Sequence, residues 1–162
     1  MIIKNARRTA VALALVVLGA ASAQAQNTQT VNFAVNAINQ IAFTGTPTLT
    51  ITTAVAGSAP TSVTDATASW AVTCNQTGAK ISASLAANMA AGLTLSSSLT
   101  APTGGASAGF LSLSTTAVDL VTGVTKIAQG ALGVSYKLDA TAAAGVVVGG
   151  SKVVTYTITG GT

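Results

Sequence analysis

The stretch ASWAVTC, residues 68–74, decides the fold because an apolar side chain occupies every second position. Trp70, Val72 and Cys74 form this series, and they include the only tryptophan and the only cysteine of the chain. Successive side chains of a β-strand point to opposite faces of its sheet, so the spacing predicts a strand with these three residues on one face. We expect this strand to be central and its apolar face to anchor a single hydrophobic core.

Two stretches nearer the C-terminus repeat the alternation of apolar and polar positions. Their apolar members are Val134, Tyr136, Leu138, Val154, Tyr156 and Ile158. The alternating stretches are short, they are separated by turns rich in Gly, Pro, Ser and Asn, and no ten-residue window has a convincing helical period. The sequence therefore predicts an all-β protein, an Ig-like antiparallel β-sandwich of about 7–10 strands, with these six residues as further core anchors.

Residues 1–25 have the composition of a secretory signal peptide. Three basic residues precede an apolar run at residues 11–21, and residues 23–25 (AQA) form a small-residue cleavage site. The apolar run is shorter than the roughly 20 residues that a membrane span needs. We therefore expect a mature chain that begins at Gln26 and has no membrane span. Such a chain is secreted to the extracellular space or the cell surface, with the periplasm as the alternative.

The mature chain carries few charges. Four lysines and three aspartates remain after residues 1–25 are removed, which gives a net charge of +1. The lysines are scattered, whereas a nucleic-acid-binding surface needs clustered Lys and Arg, so we expect no nucleic-acid partner. A net charge near zero favours association and suits a subunit that packs against copies of itself.

The residue inventory argues against catalysis. The chain contains no His and no Glu, so it lacks the commonest general base and the commonest metal ligand. Asp65, Asp119 and Asp139 are far apart and do not have the spacing of a calcium loop. The glycine pairs at residues 104–105 and 149–150 lack the Lys-Ser/Thr of a phosphate loop. We predict that the protein is not an enzyme and has no catalytic, metal or cofactor site.

Cys74 and the residues after it allow two interpretations each. A single cysteine cannot form an internal disulfide, and its phase with Trp70 favours a buried small hydrophobe over an intermolecular bridge or a reactive thiol. Residues 75–77 (NQT) match a glycosylation acceptor, but together with Gly78 they also match a turn, which we favour. We expect the strand to pair across this turn with residues 80–86 as an antiparallel hairpin.

Residues 26–43 form an N-terminal extension that leads into the sandwich domain at residues 44–162. Between residues 31 and 43 every odd position but one is apolar. As one strand, residues 30–43 would be about 45 Å long, more than twice the usual length. Either the segment bends near residues 36–40 and forms two strands of one sheet, or its first half has a separate role. If that role is to pair with the sheet edge of another subunit, the donor side chains are Val31, Phe33, Val35 and Ala37.

The order of these parts resembles a pilin-type subunit. Residues 70–75 (WAVTCN), followed by residues 81–85 (ISASL), are similar to the mid-domain of spore coat U and archaic chaperone-usher pilins, and residues 153–158 resemble their C-terminal strand. The chain departs from these families in lacking a second cysteine to pair with Cys74. The resemblance implies fibre assembly by donor-strand complementation, in which the extension of one subunit fills the open groove of a neighbour. It also implies an assembly chaperone or outer-membrane secretion machinery as a partner.

Two functions are compatible with the sequence. The first is a secreted structural subunit of an extracellular filament, pilus-like fibre or surface layer, which is a homopolymer joined by β-strand complementation. The alternative is a secreted binding module or adhesin that acts as a monomer on a glycan or another surface ligand. Sugar sites usually contain exposed aromatic side chains, so the exposure of Trp70 and of the two tyrosines separates these hypotheses.

Overall fold

A computed structural model describes residues 26–162, so the predicted signal peptide lies outside the described residues. This part of the chain consists of strands joined by turns and one short 3₁₀ helix, Ala142–Ala144. The strands are β1 (Asn39–Thr44), β2 (Val63–Cys74), β3 (Ala79–Leu85), β4 (Leu93–Leu99), β5 (Ala106–Ser107), β6 (Leu111–Ser112), β7 (Val118–Val124), β8 (Ile127–Ala140) and β9 (Val154–Thr159). Within residues 26–162, no helix is long and apolar enough to cross a membrane.

The nine strands form two antiparallel sheets, which confirms the predicted all-β sandwich. The first sheet has the order β1-β2-β8-β4-β6, and the second has the order β5-β7-β3-β9. All pairings between neighbouring strands are antiparallel. The whole sandwich lies within one compact unit, Val35–Thr162.

The hydrophobic core is built mainly from the inner strands of both sheets. In β2, Trp70, Val72 and Cys74 are each only 2% exposed, and the residues between them face away from the core. Ile81 of β3 and Val134 of β8 are fully buried. Burial of a large apolar side chain contributes roughly 1.5–3 kcal/mol, so this alternation is what favours strands over other conformations here.

The predicted hairpin between β2 and β3 is wrong. β2 pairs with β1 and β8, whereas β3 pairs with β7 and β9, so residues 75–78 carry the chain from one sheet to the other. Each strand has one apolar face, and both faces pack into the same core. Two strands whose apolar faces meet across a core lie in opposite layers of a sandwich instead of side by side in one sheet.

The long alternating segment at the N-terminus does not form one long strand. Strand structure begins only at Asn39, which pairs with Cys74, and β1 ends at Thr44, which pairs with Ser69. Gly45 then passes over β2 with φ +101°, and a Cβ there would lie 2.8 Å from the Cα of Ala68. Residues 26–38 have no regular secondary structure and are exposed throughout.

Candidate strand-acceptor groove

Two strands at the edges of different sheets lie next to each other. β1 pairs only with β2, and β9 pairs only with β3, so within residues 26–162 each has an outer edge without a strand partner. The ring of Phe43 in β1 stacks on the ring of Tyr156 in β9, with 4.0 Å between centroids and 15° between planes. We use the name β1/β9 groove for the junction of these two edge strands, where the two stacked rings lie between the sheets.

The inward side chains of the β1/β9 groove are only half-buried, as are several other apolar side chains at the margin of the core. In β1 and β9 every second residue is partly buried and the residues between are exposed. The half-buried apolar residues are Ile41, Phe43, Val154, Tyr156 and Ile158, and all five pack against the core. An apolar face at two adjacent free edges is a surface that an added strand can cover while it also pairs with the exposed backbone.

The predicted core anchors therefore fall into two groups. Trp70, Val72, Cys74 and Val134 are buried. The half-buried anchors are Tyr136, Leu138, Val154, Tyr156 and Ile158. Three of the second group belong to β9, and their partial exposure follows from the position of that strand at a sheet edge.

The tyrosine and tryptophan side chains point their polar groups inward. The Tyr156 hydroxyl donates to the Tyr136 hydroxyl at 2.8 Å, and a third hydroxyl, that of Ser97, lies 3.1 Å from Tyr156. The Trp70 indole Nε1 donates to the Thr100 carbonyl at 3.2 Å. Desolvation raises the pKa of both tyrosines above the ordinary value of 10.0. These groups stabilise the interior and leave no tryptophan or tyrosine hydrogen-bonding group directed at a ligand.

A cavity of about 620 Å³ adjoins the start of β9. Residues 49–54, which follow β1, line one part of it, and residues 144–152, which lead into β9, line another. Met89, Leu93 and Leu138 contribute apolar surface. The cavity is therefore bordered by the same two stretches of chain that continue the two edge strands.

The side chains predicted to act as a donor strand are exposed. Val31 is 73% exposed, Phe33 92% and Val35 79%, and Ala37 is exposed as well. Isolated exposed apolar residues are common, but regular alternation of exposed large ones is not. Their alternation would place these side chains on one face if residues 31–37 were extended as a strand.

The residues that follow β2 hold the start of β1. The Asn75 side chain accepts a hydrogen bond from the Ile38 N–H through Oδ1 at 2.7 Å and donates through Nδ2 to the Asn36 carbonyl, also at 2.7 Å. The Asn75 N–H donates to the Ile38 carbonyl at 3.1 Å, and the Asn39 amide donates to Gln76 Oε1 at 2.7 Å. The sequence pattern favoured a turn at Asn75 over a glycosylation acceptor and did not predict these contacts, because they join positions that are distant in sequence.

The charged side chains of the described residues make separate surface contacts. Residues 26–162 contain no group of three or more His, Cys, Asp or Glu side chains placed to hold a metal ion. Lys80 pairs with Asp119 at 2.8 Å on the surface. The Asp65 carboxylate accepts hydrogen bonds from the Thr67 hydroxyl and from the N–H groups of Thr67 and Thr48, and these bonds lower its pKa. Asp65 therefore attaches the segment after β1 to β2.

Comparison of the chain with protein-family models, with curated proteins and with solved structures finds no match. Its fold defines its class as an antiparallel β-sandwich of one five-stranded and one four-stranded sheet.

Proposed function

We propose that the protein is a secreted structural subunit of an extracellular filament, pilus-like fibre or surface layer, and that its subunits join by β-strand complementation. One observation carries the proposal: the chain has both an exposed, alternating apolar segment and, in the β1/β9 groove, two adjacent edge strands with half-buried apolar faces. Each of these surfaces leaves apolar side chains at least partly exposed to solvent. An added strand with alternating apolar side chains is the kind of partner that the groove can bind.

The dimensions of the two surfaces agree. Residues 31–37 span about 23 Å when extended, and the six residues of β9 span about 20 Å, at about 3.3 Å per residue. Both series of apolar side chains have a period of two, so a strand from another subunit can direct all of its apolar members into the groove. Its backbone can pair with a free edge at the same time, which is the mode of recognition known as β-augmentation.

The energetic gain lies mainly in the large donor side chains. Burial of a side chain such as Val31, Phe33 or Val35 contributes roughly 1.5–3 kcal/mol, and all three are mostly exposed in the subunit. Together they give several kcal/mol, which offsets part of the backbone entropy that is lost when the extension becomes ordered. Main-chain pairing with the free edge adds to this gain.

This mode of assembly generates a polymer. The donor and the acceptor are different surfaces of one chain, so the contact is heterologous, and repeated heterologous contacts produce rings or open filaments. The low net charge of residues 26–162 supports close packing of copies. The partners in this proposal are copies of the chain itself, with an assembly chaperone or outer-membrane secretion machinery as an assisting partner.

Deletion of residues 26–37 tests the proposal. The mature protein is expected to form regular fibres in negative-stain electron microscopy, and these fibres should resist detergent on a gel until the sample is boiled. The deletion variant should run as a monomer in both unboiled and boiled lanes, and circular dichroism should check that its sheet content is retained. Polymer that persists unchanged after the deletion would contradict the proposal.

A monomeric binding module is the second candidate, and the 620 Å³ cavity is the observation that favours it. Against it, Trp70 is buried, and Tyr136 and Tyr156 are partly buried, with the Tyr156 ring stacked on Phe43. This candidate predicts a mature protein that stays monomeric and whose melting temperature rises with a glycan ligand. The first candidate predicts polymer without any ligand.

A further inference from the structure

The side chain of Asn75 has a role that sequence motifs do not assign to it. We infer that Asn75 directs the N-terminal extension toward another subunit by preventing the extension from folding back into the groove of its own subunit. The inference rests on the proposed function, because it concerns which groove the same extension enters. Asn75 acts here as a positioning residue.

The geometry shows how Asn75 holds the chain. β1 starts where Asn39 pairs with Cys74, and the backbone bond from Asn75 to Ile38 extends this antiparallel ladder by one residue. The side-chain amide then bonds both the Ile38 N–H and the Asn36 carbonyl, as an additional peptide unit would. These hydrogen bonds hold residues 36–38 at the end of β2.

The groove of the same subunit ends close to this position. Thr159, the last residue of β9, pairs with Lys80, which lies just beyond the turn that contains Asn75. Thr162 and Thr77 exchange two backbone hydrogen bonds at 3.0 and 3.2 Å, so the chain after β9 is held at the same turn. To enter its own groove, the extension would have to reverse direction immediately before β1.

The contacts of Asn75 oppose that reversal. A tight reversal commonly takes two to five residues, and residues 36–38 are the ones adjoining β1. While Asn75 holds them, a reversal must fall before residue 36, so the turn takes up at least Val35, and a five-residue turn takes up Val31, Phe33 and Val35. Self-insertion with all donor side chains in the groove therefore requires release from Asn75. Insertion into the groove of a neighbour requires no change at Asn75.

Two substitutions separate the contacts of Asn75. Asn75→Asp keeps an acceptor for the Ile38 N–H but cannot donate to the Asn36 carbonyl, whereas Asn75→Ala removes both side-chain bonds. Gln129→Ala is the matched control, because Gln129 Oε1 accepts one exposed backbone hydrogen bond, from Thr103 at 2.9 Å, outside the extension. The readouts are hydrogen exchange at residues 31–37 in monomer isolated before assembly, and the ratio of monomer to polymer afterwards.

We expect the wild-type monomer and Gln129→Ala to show rapid exchange at residues 31–37 and to assemble equally. Two solvent-facing hydrogen bonds favour the held state by about tenfold in total. Asn75→Ala should therefore raise the monomer-to-polymer ratio about tenfold and slow exchange in the extension, and Asn75→Asp should produce a smaller change of the same kind. If Asn75→Ala does not fold, Asn75→Asp provides the test alone.

The inference is overturned if folded Asn75 variants assemble like the wild type and keep an unprotected extension. It is also overturned if the extension of the wild-type monomer is already protected, because the chain then occupies its own groove despite Asn75. Failure of the proposed function has a different signature, which is a wild-type protein that forms no polymer. In that case the exchange rates of wild type and Asn75 variants still show whether Asn75 controls self-insertion.

Discussion

Replacement of Phe33 by alanine should weaken assembly without weakening the subunit. Phe33 is 92% exposed in the structure, so its loss removes almost no burial from the folded monomer. In a complemented groove the ring would be covered, and burial of such a side chain contributes roughly 1.5–3 kcal/mol. This energy corresponds to a fall of about 10- to 150-fold in the association constant between subunits.

The assay for Phe33→Ala is the critical concentration for polymer formation, measured by sedimentation, together with the melting temperature of the monomer. Phe110→Ala is a matched control, because Phe110 is 46% exposed and lies outside the extension. Asn32→Ala is a second control, since residue 32 would lie on the opposite face of a donor strand. A critical concentration that Phe33→Ala leaves unchanged, or that Phe110→Ala raises equally, would refute the assignment of Phe33 as a donor side chain.

Three further predictions concern the sandwich itself. Desolvation raises the pKa of Tyr136 and Tyr156 above 10.0. Their contribution to the free energy of unfolding should therefore be complete below pH 10.0 and should fall as the pH rises further. Denaturant titrations should show a smaller fall for Tyr156→Phe than for the wild type. Gly92→Ala should destabilise by at least about 1–3 kcal/mol, because φ is +80° and the new Cβ would lie 2.6 Å from the Ala144 nitrogen, whereas Gly149→Ala should leave the melting temperature unchanged. Cys74, 2% exposed, should resist alkylation until denaturant is added, and rapid labelling of native protein would contradict its burial.

The sequence patterns predicted individual strands better than they predicted which strands pair with each other. The alternation of Trp70, Val72 and Cys74 predicted a strand and its buried face, because burial of one face is a property of the strand itself. Pairing between strands depends on which sheet each strand joins, and for this reason the predicted hairpin across residues 75–78 was wrong. The sequence showed the alternation of apolar residues over residues 31–43. It did not show that strand structure begins only at Asn39, because that position depends on where the partner strand β2 ends.

Only part of the candidate site could be predicted from the sequence. The apolar residues of the extension alternate with other residues, and this alternation could be recognised in the sequence. The acceptor groove arises because β1 and β9 are edges of different sheets that meet at Phe43 and Tyr156, and these residues are distant in sequence. The contacts of Asn75 with Asn36 and Ile38 also join distant positions and have no sequence signature.

Photo-crosslinking from position 33 tests whether the extension of one subunit occupies the groove of another. Phe33 is replaced by benzoylphenylalanine, polymers are assembled from a mixture of ¹⁴N- and ¹⁵N-labelled subunits, and the cross-linked peptides are identified by mass spectrometry. We predict that position 33 cross-links to residues of β1 or β9 in pairs that include mixed isotopes. Cross-links only within subunits of one isotope, or to surfaces remote from β1 and β9, would contradict strand complementation between subunits.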